Sequence, residues 1–258
     1  MKQIYDRNYP MTSILLIITS LVFALMFLFY GFQYSSTEAL YRFGAVHGYI
    51  IQEMPIEFWR VFTAIFVHIG LEHFVVNMLT MYFLGRQIED IFGPWKFLLL
   101  YLMSGVMGNL FVVYFSPNSL AAGASTSLFG LFASVVVLRY ATRNHYLQQL
   151  GQSYMSLLAI NLIMSFLPGI SLSGHLGGLV GGALGAVILP VSGERNAFSK
   201  PQRFLALILY LGLVAILIFM TLPIDIKRKQ LIQIVILSSN LQSIFLKNCQ
   251  FLRSLHLM

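Results

Sequence analysis

The sequence predicts an all-α, polytopic membrane helix bundle with six transmembrane helices and a candidate seventh. Three observations lead to this fold class. Apolar residues make up 58% of the 258 residues and charged residues only 10%, a balance far from that of soluble globular domains. Uncharged stretches near the roughly 20 residues that a membrane-spanning helix needs recur along most of the chain. The mean hydropathy is +0.78.

The predicted spans follow one another along most of the chain. They cover residues 12–32, 71–88, 96–115, 124–141, 153–168, 173–190 and 203–223. The first apolar stretch lacks the charged start and the cleavage site of a secretory signal, so we expect it to be retained as a helix. Residues 33–60 mix aromatic, Arg and Glu side chains, as an element at the membrane interface does.

Three parts of the chain are expected. Residues 1–11 form a cytoplasmic N-terminal tail, residues 12–223 a transmembrane domain, and residues 224–258 a C-terminal tail of unknown structure. The last part is apolar, but it is short for a span and is interrupted by Ser, Asn and Gln.

The distribution of basic residues predicts the orientation. With the N-terminus inside, the inner segments carry nine Lys and Arg residues, and the outer segments before residue 204 carry only Arg42 and Arg60. This asymmetry favours a cytoplasmic N-terminus. A seventh span would place Lys227, Arg228 and Lys229 outside, so either the last segment is not a full span or a late charge cluster is tolerated. Most basic residues lie between the apolar spans, where they determine the topology, and this accounts for the net charge of +7. No nucleic-acid partner is therefore expected.

Polar side chains stand out within or beside the apolar spans, where a charged residue at a helix centre costs about 2.5–3.5 kcal/mol. They are His68, His73, Asn77, Asn109, Ser125 and His175. The second, fourth and sixth spans run in one direction, so their first turns lie on the same, outer side of the bilayer. His73, Ser125 and His175 can therefore meet. Asn77 lies four residues after His73 and shares its helix face.

Ser125 and His175 together offer the minimum for nucleophilic acyl transfer, because an imidazole can take the proton of a weakly nucleophilic hydroxyl. The Ser125 amide at a helix N-terminus, neutral His73 and Asn77 are candidate donors to an oxyanion. Glu72 points to another helix face than His73, so we expect a Ser–His dyad without an acidic third member.

Glycines recur at every fourth position of the sixth span, as Gly177, Gly181 and Gly185 and as Gly178 and Gly182. Such rows let a helix backbone approach a neighbour closely. We expect the neighbour to be the fourth span, whose start is equally rich in small residues. This packing would bring the two reacting side chains into contact.

Each polar residue also has a plainer interpretation. Ser125 is a favoured N-cap residue, and His73 and Asn77 can form hydrogen bonds that only hold helices together. We assign His68 to that structural role and Asn109 to packing. Three histidines suggest zinc, but His68 and His73 are five residues apart and point in different directions on a helix, so no metal site is predicted.

Three sequence blocks resemble those of the rhomboid intramembrane serine proteases, and the resemblance covers about residues 12–223. GASTSLFG at 123–130 resembles the nucleophile motif of the family, HLGGLVGG at 175–182 resembles its His-x-Gly-Gly block, and H-x4-H-x3-N at 68–77 resembles the block in its second helix. Their order and spacing make the match specific. Trp59–Arg60 resembles the motif in the first loop of the family, and Glu89 matches a structural acid of the second helix.

The resemblance implies a rhomboid-like transmembrane protease domain in which Ser125 is the nucleophile and His175 the general base and acid. His73 and Asn77 are then the oxyanion donors. Phe129 matches a position whose aromatic ring packs against the catalytic histidine.

The implied partners are the lipid bilayer and membrane-protein substrates that have a transmembrane helix, and no cofactor is implied. The chain departs from the family pattern at Thr126, where Gly is usual. A β-branched residue narrows the backbone options there and can crowd the scissile carbonyl.

The predicted function is therefore that of an intramembrane serine endopeptidase. We expect a multi-pass protein of the cell membrane whose active site opens toward the extracytoplasmic side. A catalytically silent relative that binds unstable transmembrane helices is the alternative. A transporter or channel would place Asp or Glu within the spans, and these contain almost none. Trp59 and Arg60 either anchor their loop at the headgroups or shape the rim of the active site.

Overall fold

The computed structural model describes residues 6–191 and 197–223, and most of them are helical. The helices are α1 (Pro10–Tyr30), α2 (Thr37–Arg42), α3 (Gly48–Glu53), α4 (Arg60–Thr63), α5 (Leu71–Thr80), α6 (Arg86–Phe92), α7 (Pro94–Phe115), α8 (Ser125–Ala141), α9 (His145–Met164), α10 (Leu172–Ile188) and α11 (Lys200–Thr221). Two short strands, β1 (Val46–His47) and β2 (Leu120–Ala121), pair antiparallel. The predicted all-α fold class is confirmed. The predicted C-terminal tail, residues 224–258, lies outside the described residues.

Several helices have the length and composition of membrane spans. In the described part of the chain, Pro10–Gln33, α7 and α11 are long and apolar enough to cross a membrane, and α8 and α10 are apolar but shorter. At 22 residues, α11 is long enough for the predicted seventh span.

The helix in the second predicted span is longer than the apolar pattern indicates. The residues Met81–Gly85 wind as a π-helical turn that joins α5 to α6, so the helix continues from Leu71 to Phe92. It ends at Gly93, whose φ of 78° is rare for residues with a side chain. Pro94 then opens α7 at a position where its missing N–H costs nothing.

The helix in the fifth predicted span begins earlier than residue 153. The side chain of Asn144 accepts hydrogen bonds from the N–H groups of Tyr146 and Leu147 and so caps the start of α9. The first turns of α9 are polar, and a search for apolar stretches therefore misses them. At its other end, α9 gives way to a turn that contains Gly169 at a φ of 84°.

The glycine rows of α10 contact two helices rather than the one that the sequence suggests. A Cβ atom on Gly178 would meet the carbonyl oxygen of Thr126, and one on Gly182 would meet that of Gly130, so this row faces α8. The row of Gly177, Gly181 and Gly185 faces α7 instead. Rows one residue apart diverge by about 100° on a helix of 3.6 residues per turn. The expected neighbour, α8, is therefore one of two.

Buried polar groups connect α7 to its surroundings. Asn109 Nδ2 donates to the carbonyl oxygen of Val61 in α4 at 2.8 Å, and Ser104 Oγ donates to that of Leu100 within α7 at 2.7 Å. Ser104 also lies where a Cβ on Gly130 of α8 would be. Both polar side chains therefore serve the packing around α7.

A buried carboxylate fixes the start of α1. Glu89, 3% exposed, accepts hydrogen bonds from the N–H of Met11 at 2.9 Å and from the N–H and hydroxyl of Thr12 at 2.8 and 2.7 Å. The first N–H groups of a helix have no acceptor within it, and a negative charge beside them is stabilising. Beside it, Arg86 forms an ion pair with Asp6 at 2.8 Å.

Replacing Glu89 with Gln is expected to lower the free energy of unfolding by about 1–3 kcal/mol, because a neutral amide offers one acceptor oxygen where the carboxylate offers two. Thermal unfolding in detergent measures the change. Asp90→Asn is the matched control, since Asp90 is exposed and accepts one hydrogen bond, from Tyr9, at 3.1 Å. Its effect should stay below about 0.5 kcal/mol. Equal losses in the two variants would contradict the assignment.

Candidate active site

Two of the predicted site residues are in hydrogen-bond contact. Ser125 is the first residue of α8 and His175 lies in the first turn of α10, and Nε2 of the histidine is 3.0 Å from Oγ of the serine. Ser171 caps α10 by accepting from the N–H of Gly174. Gly178, one turn after His175, lets α10 approach the backbone at the start of α8. The contact thus results from the glycine packing.

The chain that leads to Ser125 is held through its backbone. Strand β2 pairs with β1, with Ala121 opposite Val46. The N–H of Gly123 donates to the carbonyl oxygen of Ala64 at 2.9 Å, and the N–H of Ala124 donates to His68 Nε2 at 3.2 Å. His68 is fully buried. The nucleophile therefore follows a segment that three separate contacts fix in place.

Only glycine fits at position 123. Its φ of 143° lies in the region that favours glycine, and a Cβ atom there would collide with the imidazole of His73. The absence of a side chain lets the histidine of α5 lie directly against the backbone before Ser125.

The predicted oxyanion donors face the same cavity as the serine. His73, Asn77, Ser125 and His175 all line a cavity of about 370 Å³. Asn77 Nδ2 donates to the carbonyl oxygen of His73 at 2.8 Å. A side-chain amide has two N–H groups, so this bond uses only one of them.

The ring of Phe129 lies flat on that of His175. Their centroids are 3.9 Å apart and their planes differ by 13°. Phe129 is four residues after Ser125, so it lies on the same face of α8, one turn further along. The stacking fixes the plane of the imidazole.

Three ring nitrogens of the buried histidines have hydrogen-bond partners within the protein. His68 Nε2 accepts from the backbone, and both nitrogens of His175 contact serine hydroxyls, those of Ser125 and Ser165. Within residues 6–191 and 197–223, no group of three or more His, Cys, Asp or Glu side chains is placed to hold a metal ion.

The family model of the Rhomboid domain matches residues 55–192, which is more than half of the chain and includes every residue of this cavity. The chain belongs to the rhomboid family. Rhomboid protease GluP of Bacillus subtilis (strain 168) is 34% identical over 180 residues, which are 69% of this chain and 34% of GluP. Putative rhomboid protease YdcA of the same organism is 31% identical over 197 residues, 75% of this chain and 96% of YdcA.

A plant relative, RHOMBOID-like protein 1 of Arabidopsis thaliana, is 34% identical over 155 residues, 58% of this chain and 40% of the plant protein. This rhomboid chain thus spans less than half the length of GluP and of the plant relative, and nearly the whole length of YdcA.

One contact in this rhomboid chain was not expected from the sequence. Nδ1 of His175 is 2.6 Å from Oγ of Ser165, which directly follows α9 and is 2% exposed. The Ser165 hydroxyl also donates to the carbonyl oxygen of Asn161 at 2.8 Å. No spacing or motif in the sequence separates this serine from its neighbours, and only the folded arrangement reveals it.

Thr126, the departure from the rhomboid pattern, packs between helices. A Cβ atom on Gly108 of α7 would lie 2.6 Å from Thr126 Cβ, and one on Gly174 of α10 would lie 3.1 Å from its Cγ2. The residue is 5% exposed. Its β-branch is thus accommodated by two glycines, one in α7 and one in α10.

Arg60 ties together the rhomboid's segment before α5. It is 4% exposed, forms an ion pair with Glu57 at 2.7 Å, stacks on the ring of Tyr41 at 3.7 Å, and donates to the carbonyl oxygens of Tyr41 and Ala45. Trp59 is 47% exposed. The arginine therefore connects the start of α4 to the segment that leads into β1.

Proposed function

We propose that this chain is an intramembrane serine endopeptidase that hydrolyses peptide bonds in or next to transmembrane segments of membrane proteins. The observation that carries the proposal is the 3.0 Å contact between Ser125 Oγ and His175 Nε2. Membership of the rhomboid family supports it, since one relative is named a rhomboid protease and a second a putative one.

Cleavage begins with acyl transfer to Ser125. Oγ attacks the carbonyl carbon of the scissile bond while its proton moves to Nε2 of His175. The tetrahedral intermediate collapses, the C–N bond breaks, and the imidazolium gives its proton to the leaving amine. A water molecule then gives a proton to Nε2 and attacks the ester, which frees the carboxylic acid and restores the Ser125 hydroxyl.

The negative charge on the tetrahedral intermediate is stabilised by donors at the cavity wall. Ser125 is the first residue of α8, so its N–H has no acceptor within its own helix. The second N–H of the Asn77 amide and the His73 imidazole border the same cavity. Fixed donors in a site shielded from bulk water stabilise developing charge more than they would in water.

The enzyme binds its substrate within a cell membrane, which its helices cross in several passes. The excess of Lys and Arg in the inner segments favours a cytoplasmic N-terminus. The first turns of α5, α8 and α10 then lie toward the extracytoplasmic side, and water reaches the cavity from there. Non-helical backbone such as that at Gly123 is tolerated at membrane depth where it lines a cavity.

Labelling with a fluorophosphonate probe tests this function. The detergent-solubilised wild type should become covalently labelled at Ser125, because the probe captures a serine that a neighbouring base activates. Ser125→Ala should not be labelled. A wild type that stays unlabelled would instead indicate a relative that binds transmembrane helices without cutting them, and labelling that persists in Ser125→Ala would reject the assignment of the nucleophile.

A further inference from the structure

We propose that Ser165 is a positioning residue that holds His175 in the tautomer that catalysis needs. The proposal rests on the function proposed above, in which His175 Nε2 takes the proton of Ser125. It extends the site by one residue, which lies at the end of α9 and reaches the far edge of the imidazole.

The hydrogen bonds around Ser165 favour one direction for the contact. A serine hydroxyl has one hydrogen and two lone pairs, and Ser165 Oγ donates its hydrogen to the carbonyl oxygen of Asn161 at 2.8 Å. With its hydrogen used there, the oxygen accepts from His175 Nδ1, which is 2.6 Å away. Nδ1 therefore carries the proton of the neutral ring, and Nε2 presents its lone pair to Ser125.

The opposite tautomer would be unproductive. With the proton on Nε2, the ring would donate to Ser125 Oγ and could not take its hydrogen. Ser165 would then have to donate to Nδ1 and give up its bond to Asn161. The serine at the end of α9 thus favours the productive form by one hydrogen bond.

The same contact persists through the reaction. When Nε2 gains a proton, Nδ1 keeps its own, and the Ser165 oxygen still accepts from the positively charged ring. Hydrogen bonds to charged groups are stronger than those between neutral groups. Ser165 is 2% exposed, so water does not readily compete. Phe129 holds the face of the ring and Ser165 holds its edge.

Kinetics of single variants give the first test. Ser165→Ala should lower kcat for a transmembrane substrate, and the rate of probe labelling, by roughly tenfold to a hundredfold, as expected when a buried donor loses its partner. KM should change little, because Ser165 contacts the histidine. Ser165→Thr keeps the hydroxyl and should restore most of the rate.

Ser153→Ala is the matched control. Ser153 also lies in α9 and donates to the carbonyl oxygen four residues earlier, at 3.2 Å, but it is exposed. Its removal should leave the rates at the wild-type level. A Ser165→Ala enzyme with wild-type kcat and labelling rate would overturn the proposal.

The ring nitrogens can be observed directly without any substrate. In protein labelled with ¹⁵N-histidine, His175 should show a protonated Nδ1 and an unprotonated Nε2, and Ser165→Ala should shift this balance toward the Nε2-protonated form. The His175→Gln spectrum assigns the signals. If the tautomer is the same with and without the Ser165 hydroxyl, the proposal is wrong. Because the spectrum requires no activity, it decides the role of Ser165 even if the protease function fails its own test.

Discussion

Alanine in place of Ser125 or His175 is expected to lower the turnover of a model transmembrane substrate by on the order of 10⁵-fold, to the background of the assay. Ser125→Ala removes the atom that forms the acyl-enzyme, and His175→Ala removes the base 3.0 Å from it. The double variant should be no slower than either single variant, because the two side chains act as a unit. Cleavage measured in liposomes or in detergent gives the turnover.

Ser127→Ala is the control for this loss. Ser127 lies two residues further along α8, is fully buried, and faces Gly105 of α7, where a Cβ atom would collide with its hydroxyl. It is turned away from His175, so cleavage should continue at close to the wild-type rate. Undiminished cleavage by Ser125→Ala, or equal loss in Ser127→Ala, would contradict the assigned nucleophile.

Gly182→Ala is expected to destabilise the protein by about 1–3 kcal/mol or more, the usual cost of overpacking a tight contact. A Cβ atom at this position would collide with the backbone of Gly130 in α8. Backbone cannot rotate away as a side chain can, so α8 must shift. The shift would also move Ser125 away from His175, and activity should fall together with the thermal unfolding temperature in detergent.

Gly212→Ala provides the comparison. Gly212 lies in α11, and nothing is within 4 Å of the position that its Cβ atom would take. Alanine should be neutral or stabilise the helix by up to about 1 kcal/mol. If both variants unfold at the wild-type temperature, the packing of α10 against α8 is looser than the structure shows.

The polar residues could be singled out from the sequence because they interrupt apolar helices. A histidine or serine in a span is costly unless it has a partner, and the shared direction of three spans indicated that His73, Ser125 and His175 could meet. The structure places all three at one cavity. The role of each in catalysis stays a prediction until the variants are measured.

Other features depend on contacts that local patterns do not encode. Ser165 lies in an apolar stretch, where a hydroxyl ordinarily bonds to the preceding turn of its own helix, and its second contact, with His175, arises only from folding. The strand pair joins residues 46–47 to residues 120–121, and two residues are too few for an alternating pattern. The start of α9 could not be read from the apolar stretch, because the residue that caps it, Asn144, lies outside that stretch.

The two glycine rows of α10 also limit which amino-acid substitutions this helix can tolerate. Any replacement of Gly178 or Gly182 places at least a Cβ atom against the main chain of α8, which would have to shift, so no conservative replacement exists at either position. Tolerated variation in the helix should be confined to the strip that includes Leu176, which is 39% exposed. A saturation library selected for folded protein should therefore recover a helix that is nearly invariant on the side that faces α8, restricted on the side that faces α7, and permissive on the third.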